Sequence, residues 1–482
     1  MRKTLAAALV LAASLAVAYA QPALSVPDLT ESFGDDSLGL ELGLEADFDG
    51  DFYTVERVGV SYYSPSLALL ALLAVDGDGL YAPGLNIGDN YFLLEAGGMA
   101  FTFGDFVIRG GQLPAFDVVD SPYSLFVNGS GRAATLGEIG FKRGIFSYES
   151  RWIGLNHRNK TGNPAFSGGY YPERGANLKT YRLDFGKISL GLQDAAVYSG
   201  RYFDFDYFVD PMPNYFIQYV NNRSGRPWFR DYEDNDVLGA FLTWDDPRGF
   251  DAYAQLLVDD LSALGLLGSW SNNPWKAAWS VGGSLETEFG KFGLYHAGAT
   301  KYCFEPTYET AGMEYGYSAY PDTVYYRSGS PVAIPFEDSM LGYRHGENNI
   351  AFMATWSDSL GGFDLDASCE FTLSGSKSPA NAWHEELWTD YGGTRILDEK
   401  VLEKRGIFSF EASRPLGDFL VFGRVSLGYV FNELKLVSSF DTVPVGSHTE
   451  DKEYSRIAIW KPSGDDRPLY SITLGGGYRF AF

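Results

Sequence analysis

SITLGGGYRFAF, residues 471–482, alternates large apolar side chains with small or polar ones. With the preceding residue included, one parity comprises Tyr470, Ile472, Leu474, Gly476, Tyr478, Phe480 and Phe482, and the other comprises Ser471, Thr473, Gly475, Gly477, Arg479 and Ala481. Successive side chains of a strand point to opposite sides, so this spacing predicts a β-strand with one apolar and one polar face. The fold therefore depends on what the apolar face contacts.

The same alternation recurs along the chain. Segments 275–289, 363–373 and 419–432 each place Trp, Phe, Leu or Val predominantly on one parity and charged or small residues on the other. The 56 glycines are scattered through the sequence, which disfavours long helices. A soluble β-sandwich alternates in the same way, so the connections must decide between a sandwich and a membrane barrel.

Short and long connections alternate in the sequence. Tight hairpin turns rich in Gly, Pro or Asp are predicted near 64–66, 97–98, 143–144, 186–187, 245–249, 290–291, 359–362 and 415–417. Longer connections are predicted near 76–89, 112–133, 154–177, 199–235, 261–275, 303–348, 375–404 and 437–467. Transmembrane β-barrels combine short periplasmic turns with long external loops, whereas a sandwich has no reason to separate the two kinds.

The predicted fold class is all-β, a closed antiparallel transmembrane β-barrel of about 18 strands, with roughly 16 as the alternative count. The first strand is predicted near 37–47 and the last at 468–482, so the barrel occupies residues 37–482. A closed sheet pairs every backbone group within hydrocarbon, which lets the apolar faces contact lipid. The longest apolar run, at 67–75, has nine residues, whereas a membrane-spanning helix needs about 20.

The amino terminus has the pattern of a secretory signal peptide. Two basic residues precede the apolar run 5–17, and the triplet AYA has the small-x-small form of a cleavage site. We therefore expect residues 1–20 to be removed after Ala20 and residues 21–36 to form a periplasmic N-terminal segment. Export together with a barrel predicts the bacterial outer membrane of a Gram-negative-type envelope.

The last residue carries a resemblance of its own. A final strand that ends in Phe482 after alternating apolar positions resembles the insertion signal of bacterial outer-membrane barrels. That resemblance implies two partners, namely outer-membrane lipid and the barrel assembly machinery, which reads the C-terminal strand.

Charge and cysteine content limit the possible partners and disulfide bonds of the chain. The chain has a formal net charge of −25, which makes nucleic acid an unfavourable partner because phosphates are repelled. The two cysteines are 66 residues apart. Cys369 shares the apolar parity of its strand and Cys303 begins a loop, so two free thiols are favoured over a disulfide.

The long connection at 199–236 contains the first candidate ligand site. It combines aromatic rings with carboxylates, the mixture that sugars require, because pyranose C–H faces pack on rings while polar groups bind hydroxyls. The candidate residues here are Tyr202, Asp204, Asp206, Trp228 and Tyr232, together with Asp194 in the preceding strand. An apolar loop of this kind is expected to fold into the barrel mouth or lumen. The alternative is that its rings form only a small core of their own.

A second candidate lies at 378–393, where SPANAWHEELWTDYGG contains Trp383, His384, Trp388 and Tyr391. The alternative is an ordinary aromatic loop near lipid headgroups. Asp194 raises a separate question, since it follows three lipid-facing parity positions in ISLGLQDAAVY. A carboxylate in hydrocarbon is costly, so either a bulge redirects the strand or Asp194 lies at headgroup level.

Residues 178–261 contain, in order, LKTYRLDF, LGLQDAAVYSGR, an aromatic loop with prolines, DNDVLGAFLTWDDP and FDAYAQLLVDDL. This succession resembles the capsule assembly Wzi family of outer-membrane barrels. The resemblance implies a closed barrel of similar strand number that binds surface polysaccharide as a lectin and helps hold capsule on the cell, without catalysis.

The leading functional hypothesis is therefore polysaccharide binding by a non-catalytic barrel. The alternative is a porin-like channel for cations or small neutral solutes. An outer-membrane hydrolase is a third candidate, with His384 as its best residue, but no HExxH, GxSxG, CxxC or P-loop pattern occurs. We predict no catalytic residue, cofactor or metal site.

Overall fold

The computed structural model describes residues 36–83, 88–128, 133–160, 170–230, 234–260, 275–304, 315–321, 324–327, 330–377, 395–439 and 457–481. Its barrel strands are β1 (Ser37–Phe48), β2 (Phe52–Tyr63), β3 (Leu67–Asp76), β4 (Tyr91–Phe103), β5 (Phe106–Leu113), β6 (Ala134–Arg143), β7 (Phe146–Asn156), β8 (Arg174–Asp184), β9 (Ile188–Ser199), β10 (Asn235–Asp246), β11 (Phe250–Asp260), β12 (Lys276–Thr287), β13 (Gly290–Ala299), β16 (Asn349–Leu360), β17 (Phe363–Ser374), β18 (Glu403–Leu416), β19 (Phe419–Phe431) and β22 (Arg467–Ala481). Two small strand pairs lie in connections, β14 (Val324–Arg327) with β15 (Ser330–Ala333) and β20 (Leu434–Ser439) with β21 (Ile457–Pro462). The short helices are α1 (Phe205–Val209), α2 (Asn214–Asn221) and α3 (Phe336–Ser339).

The 18 barrel strands form one antiparallel sheet that closes on itself. Each strand pairs with its neighbours in sequence, and β1 pairs on one side with β2 and on the other with β22. At the closing seam Leu42 lies opposite Tyr478. The sheet therefore has no free edge, and the prediction of a closed transmembrane barrel of 18 strands is confirmed.

Alternate residues of each strand face lipid and lumen. On β22 the side chains of Tyr470, Ile472 and Leu474 are exposed on the outer face, whereas Thr473 faces inward and hydrogen-bonds Asp47. Inside the barrel, Arg57 bonds Glu45 at 2.8 Å. The apolar parity of the last strand is thus the outer surface, as predicted.

Connection lengths follow the predicted pattern from β3 onward, with short turns at one end of the barrel and long loops at the other. The β1–β2 connection at the long-loop end is the exception, since it comprises residues 49–51 only. Among the described residues, no helix is both long enough and apolar enough to cross a bilayer.

The predicted turn at 97–98 is wrong. Both glycines lie inside β4, and the turn occupies residues 104–105. Gly98 lies opposite Gly111 of β5, which has φ +146°, and a Cβ at Gly111 would lie 2.2 Å from the Gly97 carbonyl oxygen. These glycines therefore allow two backbones to approach closely within the sheet, a second use of glycine that the sequence pattern does not distinguish from a turn.

Both cysteines are free, as favoured from the sequence. Cys303 is buried, whereas Cys369 is exposed on the outer face of β17. The two thiols therefore lie on different sides of the wall.

Candidate functional site

Loop segments at the long-loop end fold into the lumen. We call residues 114–128, 315–321 and 334–348 the luminal plug. The wall leaves room for it with small, fully buried inward-facing residues: Ala176, Ala195, Ala278, Ala297, Ala299 and Ala351. Against them pack Tyr123, Phe126 and Tyr317 of the plug, each at most 2% exposed. This part of the lumen therefore has the packing of a protein core.

Polar side chains of the wall bind the backbone and carboxylate of the plug. Gln255 accepts a hydrogen bond from the Leu125 N–H at 2.9 Å and donates to Asp117 at 3.0 Å. Gln193 donates to the same carboxylate at 2.8 Å. Arg151 donates to the Phe116 carbonyl at 2.6 Å. The plug segment is thus fixed by hydrogen bonds to three strands of one wall.

The plug also reaches the far wall. Tyr123 donates to Glu370 of β17 at 2.8 Å, and the Nε2 of His345 lies 2.9 Å from the same carboxylate. The strand order places β17 nearly opposite β7, which carries Arg151. Burial and the neighbouring Glu370 raise the pKa of the Tyr123 phenol, which keeps it a hydrogen-bond donor. The segment 114–128 therefore crosses the lumen.

The lumen beside the short-turn end is polar. A cavity of about 370 Å³ is lined by inward-facing residues that include Lys291, Thr355, Asp366, Glu411 and Arg424. Arg424 pairs with Glu411 at 2.6 Å. This region holds water-compatible side chains of both signs.

The long β9–β10 connection lies outside the barrel. We call residues 200–230, which include α1 and α2, the outer hairpin. It contacts Ser150, Trp152 and Lys179, which share the outward parity of Phe146 and Leu183. The expectation that this loop enters the mouth or lumen is therefore wrong. Its apolar side chains are exposed outside the wall instead of packing in the barrel interior.

Four wall side chains donate to carbonyls of the outer hairpin. Trp152 donates to the Tyr202 carbonyl at 2.9 Å and Ser150 to the Phe208 carbonyl at 2.8 Å. The remaining two wall donors act at the deepest point of the hairpin: Lys179 donates to the carbonyls of Asp210 and Met212, and Tyr181 to that of Pro211. Irregular backbone is stable at membrane depth only when its polar groups are paired. The polar residues at lipid-facing positions supply that pairing.

The outer hairpin has a small core of its own, as the alternative interpretation expected. Tyr207 and Ile217 pack with Ala196 and Tyr198 of β9. The Tyr202 ring lies edge-on to Trp152 at 5.1 Å. The hairpin's exposed apolar residues are Phe203, Phe205, Val209, Met212, Tyr215, Phe216, Tyr219, Val220, Trp228 and Phe229. The hairpin therefore has an exposed apolar surface outside the barrel.

The bulge predicted as one explanation of Asp194 is absent. The register of β9 is regular through this position with both neighbours, so no bulge redirects it. Its carboxylate faces outward, but only 2% of the residue is exposed because the outer hairpin covers it. One oxygen accepts from the Tyr215 N–H at 3.4 Å.

The other predicted site residues of this loop are separated by the fold. Asp204 caps α1 through the Tyr207 N–H and pairs with Arg201 at 2.6 Å, so it is structural. Asp206 pairs with Arg230, and Trp228 is 54% exposed. The remaining predicted residues lie outside the described part of the chain: Tyr232, Trp383, His384, Trp388 and Tyr391.

Sequence reasoning missed the wall residues that hold these loops. Ser150, Lys179 and Asn177 occupy lipid-facing parity positions in β7 and β8. A run of polar residues at such positions is a signal that something other than lipid covers the wall. The plug residues Asp117 and Tyr123 carry no comparable signal, because loop composition does not reveal which wall a loop contacts.

Comparison with protein-family models and with curated proteins finds no match. Among solved structures, the chain is similar to Wzi of Escherichia coli, described as an outer-membrane protein involved in group 1 capsule assembly and a carbohydrate-binding β-barrel. The TM-score is 0.50 at 12% identity, over 96% of this chain and 90% of Wzi. The likeness shows a shared fold. It is the fold of an outer-membrane β-barrel.

Two further solved structures also match, at lower TM-scores. The outer-membrane protein OpdK of Pseudomonas aeruginosa has a TM-score of 0.47 at 11% identity, covering 93% of this chain and all of that one. OprD of the same organism has a TM-score of 0.43 at 11% identity, covering 95% and 99%. The outer-membrane barrel fold shared with Wzi implies lipid around the outer face, whereas the ligand is a separate question.

Proposed function

We propose that this barrel binds surface polysaccharide at its long-loop end and serves in capsule assembly or attachment without catalysis. The observation that carries the proposal is the luminal plug, which crosses from Arg151 on one wall to Glu370 on the other. A crossed, core-packed lumen suits a binding protein better than a conduit. Wzi, described as carbohydrate binding, shares the fold, but fold alone does not carry function.

The proposed contact residues are those that remain accessible. Trp228 offers an exposed ring with the Arg226 guanidinium 5.9 Å from its centroid, and the Asp206–Arg230 pair lies in the same loop. Ring and charged groups together match the two surfaces of a pyranose. We include Tyr232, Trp383, His384, Trp388 and Tyr391 as proposed ligands from their sequence context. Asp194, Tyr202 and Asp204 act on the fold of the hairpin.

Two measurements on the refolded protein test the proposal. In planar bilayers we expect no steady conductance, and on immobilised surface polysaccharides of the host we expect retention that heat-unfolded protein lacks. Steady ion conductance combined with no retention on any isolated host polysaccharide would reject binding in favour of transport.

A channel for cations or small neutral solutes is the second candidate. The cavity of about 370 Å³ near the short-turn end, with Asp366 and Glu411 among its lining residues, favours it. A conductance that is selective for cations would support this candidate. The same bilayer measurement therefore separates the two functions.

Three points about the export and membrane insertion of the protein are also proposals. We propose that the signal peptide is cleaved after Ala20, that residues 21–36 lie in the periplasm and that the assembly machinery recognises Phe482. Amino-terminal sequencing of the mature protein checks the first point. Deletion of Phe482 is expected to lower insertion in cells while leaving refolding in detergent unchanged.

A further inference from the structure

A polar cluster lies under the outer hairpin, on the outward face of β8, β9 and β10. Its floor is Ala196, which pairs with Asn177 on one side and Asp236 on the other. Asp194 is the next outward-facing residue of β9, and Asn214 of α2 covers the group by donating to the Asn177 carbonyl at 3.0 Å. Four oxygen-bearing side chains therefore surround the outward face of Ala196, beside the apolar contacts that Ala196 makes with the hairpin.

The oxygens around Ala196 lack partners among the described residues. They are Oδ1 of Asp194, both carboxylate oxygens of Asp236, and Oδ1 of Asn177 and of Asn214. Asp194, Asn177 and Asn214 are each at most 2% exposed. Buried acceptors without partners are costly, so each needs a ligand.

Hydrogen bonds donated by Nδ2 fix the orientation of the Asn177 and Asn214 amides. Asn177 Nδ2 donates to Ser150 Oγ at 3.3 Å and to the Arg151 carbonyl at 3.2 Å, both on β7. Since β7 and β9 flank β8 on opposite sides, the Asn177 oxygen is directed toward β9 and the position above Ala196. The hydrogen bonds of the wall thus leave amide oxygens, not N–H groups, facing the cluster.

Charge under the hairpin is unbalanced. Asp194, Asp204, Asp234 and Asp236 supply four carboxylates, whereas Lys179 and Arg201 supply two cations. Arg201 bonds Asp204 and Asp234 at 2.6 Å each, and the Lys179 ammonium is bound by hairpin carbonyls. Arg201 balances one of its two carboxylates, and Lys179, which lies opposite Asp194, balances one of Asp194 and Asp236, so one negative charge is in excess at each place. Uncompensated charge against a lipid-facing wall is strongly unfavourable.

We propose that a divalent, oxygen-preferring cation of the calcium class binds above Ala196, held by Asp194, Asp236, Asn177 and Asn214, and fastens the outer hairpin to the wall. Two carboxylates and two amide carbonyls are hard ligands of the kind that Ca²⁺ takes, and the cation offsets the carboxylate charge that Lys179 leaves unbalanced. No group of three or more His, Cys, Asp or Glu side chains suited to a metal occurs in the described ranges, so the amides are essential to this site. The site is independent of the proposed glycan function.

The test uses the full, folded barrel in detergent free of lipopolysaccharide, with CaCl₂ as the probe. After treatment with a chelator, we expect proteolytic cleavage within residues 200–230 to rise at least tenfold and to return to its first rate when calcium is restored. Equilibrium dialysis should find one tightly bound calcium per chain. Magnesium in place of calcium should restore less protection, because it prefers a smaller, stricter octahedral site.

Variants locate the ion. Asp236→Asn should abolish the bound calcium and the effect of chelator, whereas the matched control Asp206→Asn, which alters an exposed pair in the same hairpin, should retain both. The proposal is overturned if wild-type protein binds no calcium or if chelator does not affect its cleavage. Water or a shared proton would then pair with the buried oxygens of Asp194, Asp236, Asn177 and Asn214. The wild-type measurements decide this even if Asp236→Asn does not fold.

Discussion

The luminal plug and the outer hairpin are both loops that fold back on the barrel, one inside the wall and one outside it. Each presents irregular backbone, and in each the wall supplies donors: Arg174 to the Gly316 and Ser318 carbonyls inside, Lys179 and Tyr181 to hairpin carbonyls outside. The two loops differ in what covers them. The plug is enclosed by protein, whereas the hairpin leaves aromatic side chains exposed outside the barrel.

This difference shows that the polarity of each part of the barrel wall depends on what covers that part. Lipid-facing positions are apolar around most of the ring, yet Ser150, Lys179 and Asp194 interrupt that surface where backbone must be paired. Inside, the usual polar lining gives way to alanine where the plug packs. Where a loop covers the outer face, that face carries polar residues instead of apolar ones. Where a loop packs against the inner face, that face carries alanine instead of polar residues.

The largest expected effect is on conductance, and it comes from removing the segment of the luminal plug that crosses the lumen. Replacement of residues 116–127 by a short Gly-Ser linker removes the segment that crosses the lumen. Single-channel recording should then show steady conductance at least tenfold above the wild-type background. Replacement of residues 203–229 of the outer hairpin is the matched control and should leave conductance unchanged. Equal conductance in both variants would contradict the assignment of the two loops to opposite faces.

The wall that anchors the plug depends on a buried charge cluster. Glu138 bonds Arg109 at 2.7 Å and Arg151 at 2.6 Å, and all three side chains are at most 4% exposed. Glu138→Gln removes the carboxylate that two buried guanidinium groups share, although Arg151 keeps Glu149 as a second partner. The loss of this buried charge pairing should lower the unfolding free energy by about 3 kcal/mol. Urea titration in detergent measures the loss.

Glu411→Gln provides the control for this cluster. Its Arg424 partner has half of its side chain exposed, so the loss should be below about 1 kcal/mol. Similar losses of unfolding free energy in the two variants would mean that the buried Glu138 ion pairs stabilise the barrel no more than the exposed Glu411–Arg424 pair.

Lys179→Met tests the outer anchor. The substitution keeps a long side chain but removes the donor to the Asp210 and Met212 carbonyls. Loss of charged hydrogen bonds to the hairpin carbonyls should cost about 2 kcal/mol, or roughly thirtyfold in hairpin opening. Limited proteolysis within 200–230 reports this. Lys187→Met at a short turn is the control, and conductance should change in neither variant.

Trp228→Ala is expected to have the smallest effect. Loss of one exposed ring should weaken polysaccharide retention by about 1 kcal/mol, roughly fivefold in Kd. Phe229→Ala removes a neighbouring ring that lacks the adjacent Arg226 guanidinium and should change retention less. If retention is lost equally in both, general hydrophobicity of the hairpin would explain binding better than a sugar contact at Trp228.

The fold was predictable because its signals are local. Alternation in segments such as 363–373 and 419–432, together with loop lengths, was sufficient to predict the strand count and closure. The turn at 97–98 failed because glycine serves both tight turns and close strand approach.

The positions of the loops were not predictable in the same way. Whether residues 199–236 fold inward or outward depends on hydrogen bonds to β7 and β8, which are distant in sequence. Asp194 is the one outward-facing polar residue that the sequence singles out, and taken alone it predicts either a bulge or a position at headgroup level. Considered with Lys179 and Ser150 on the same face, it would have indicated a covered wall.

The outward position of the hairpin also bears on biogenesis. Its contacts come from β7, β8 and β9, and it is inserted in the chain between β9 and β10 at the end away from the short turns. A docking surface exists only after these strands have paired across the membrane. We therefore expect the hairpin to enter from the outer leaflet as a late event, so that its protection from protease reports a completed sector of the barrel.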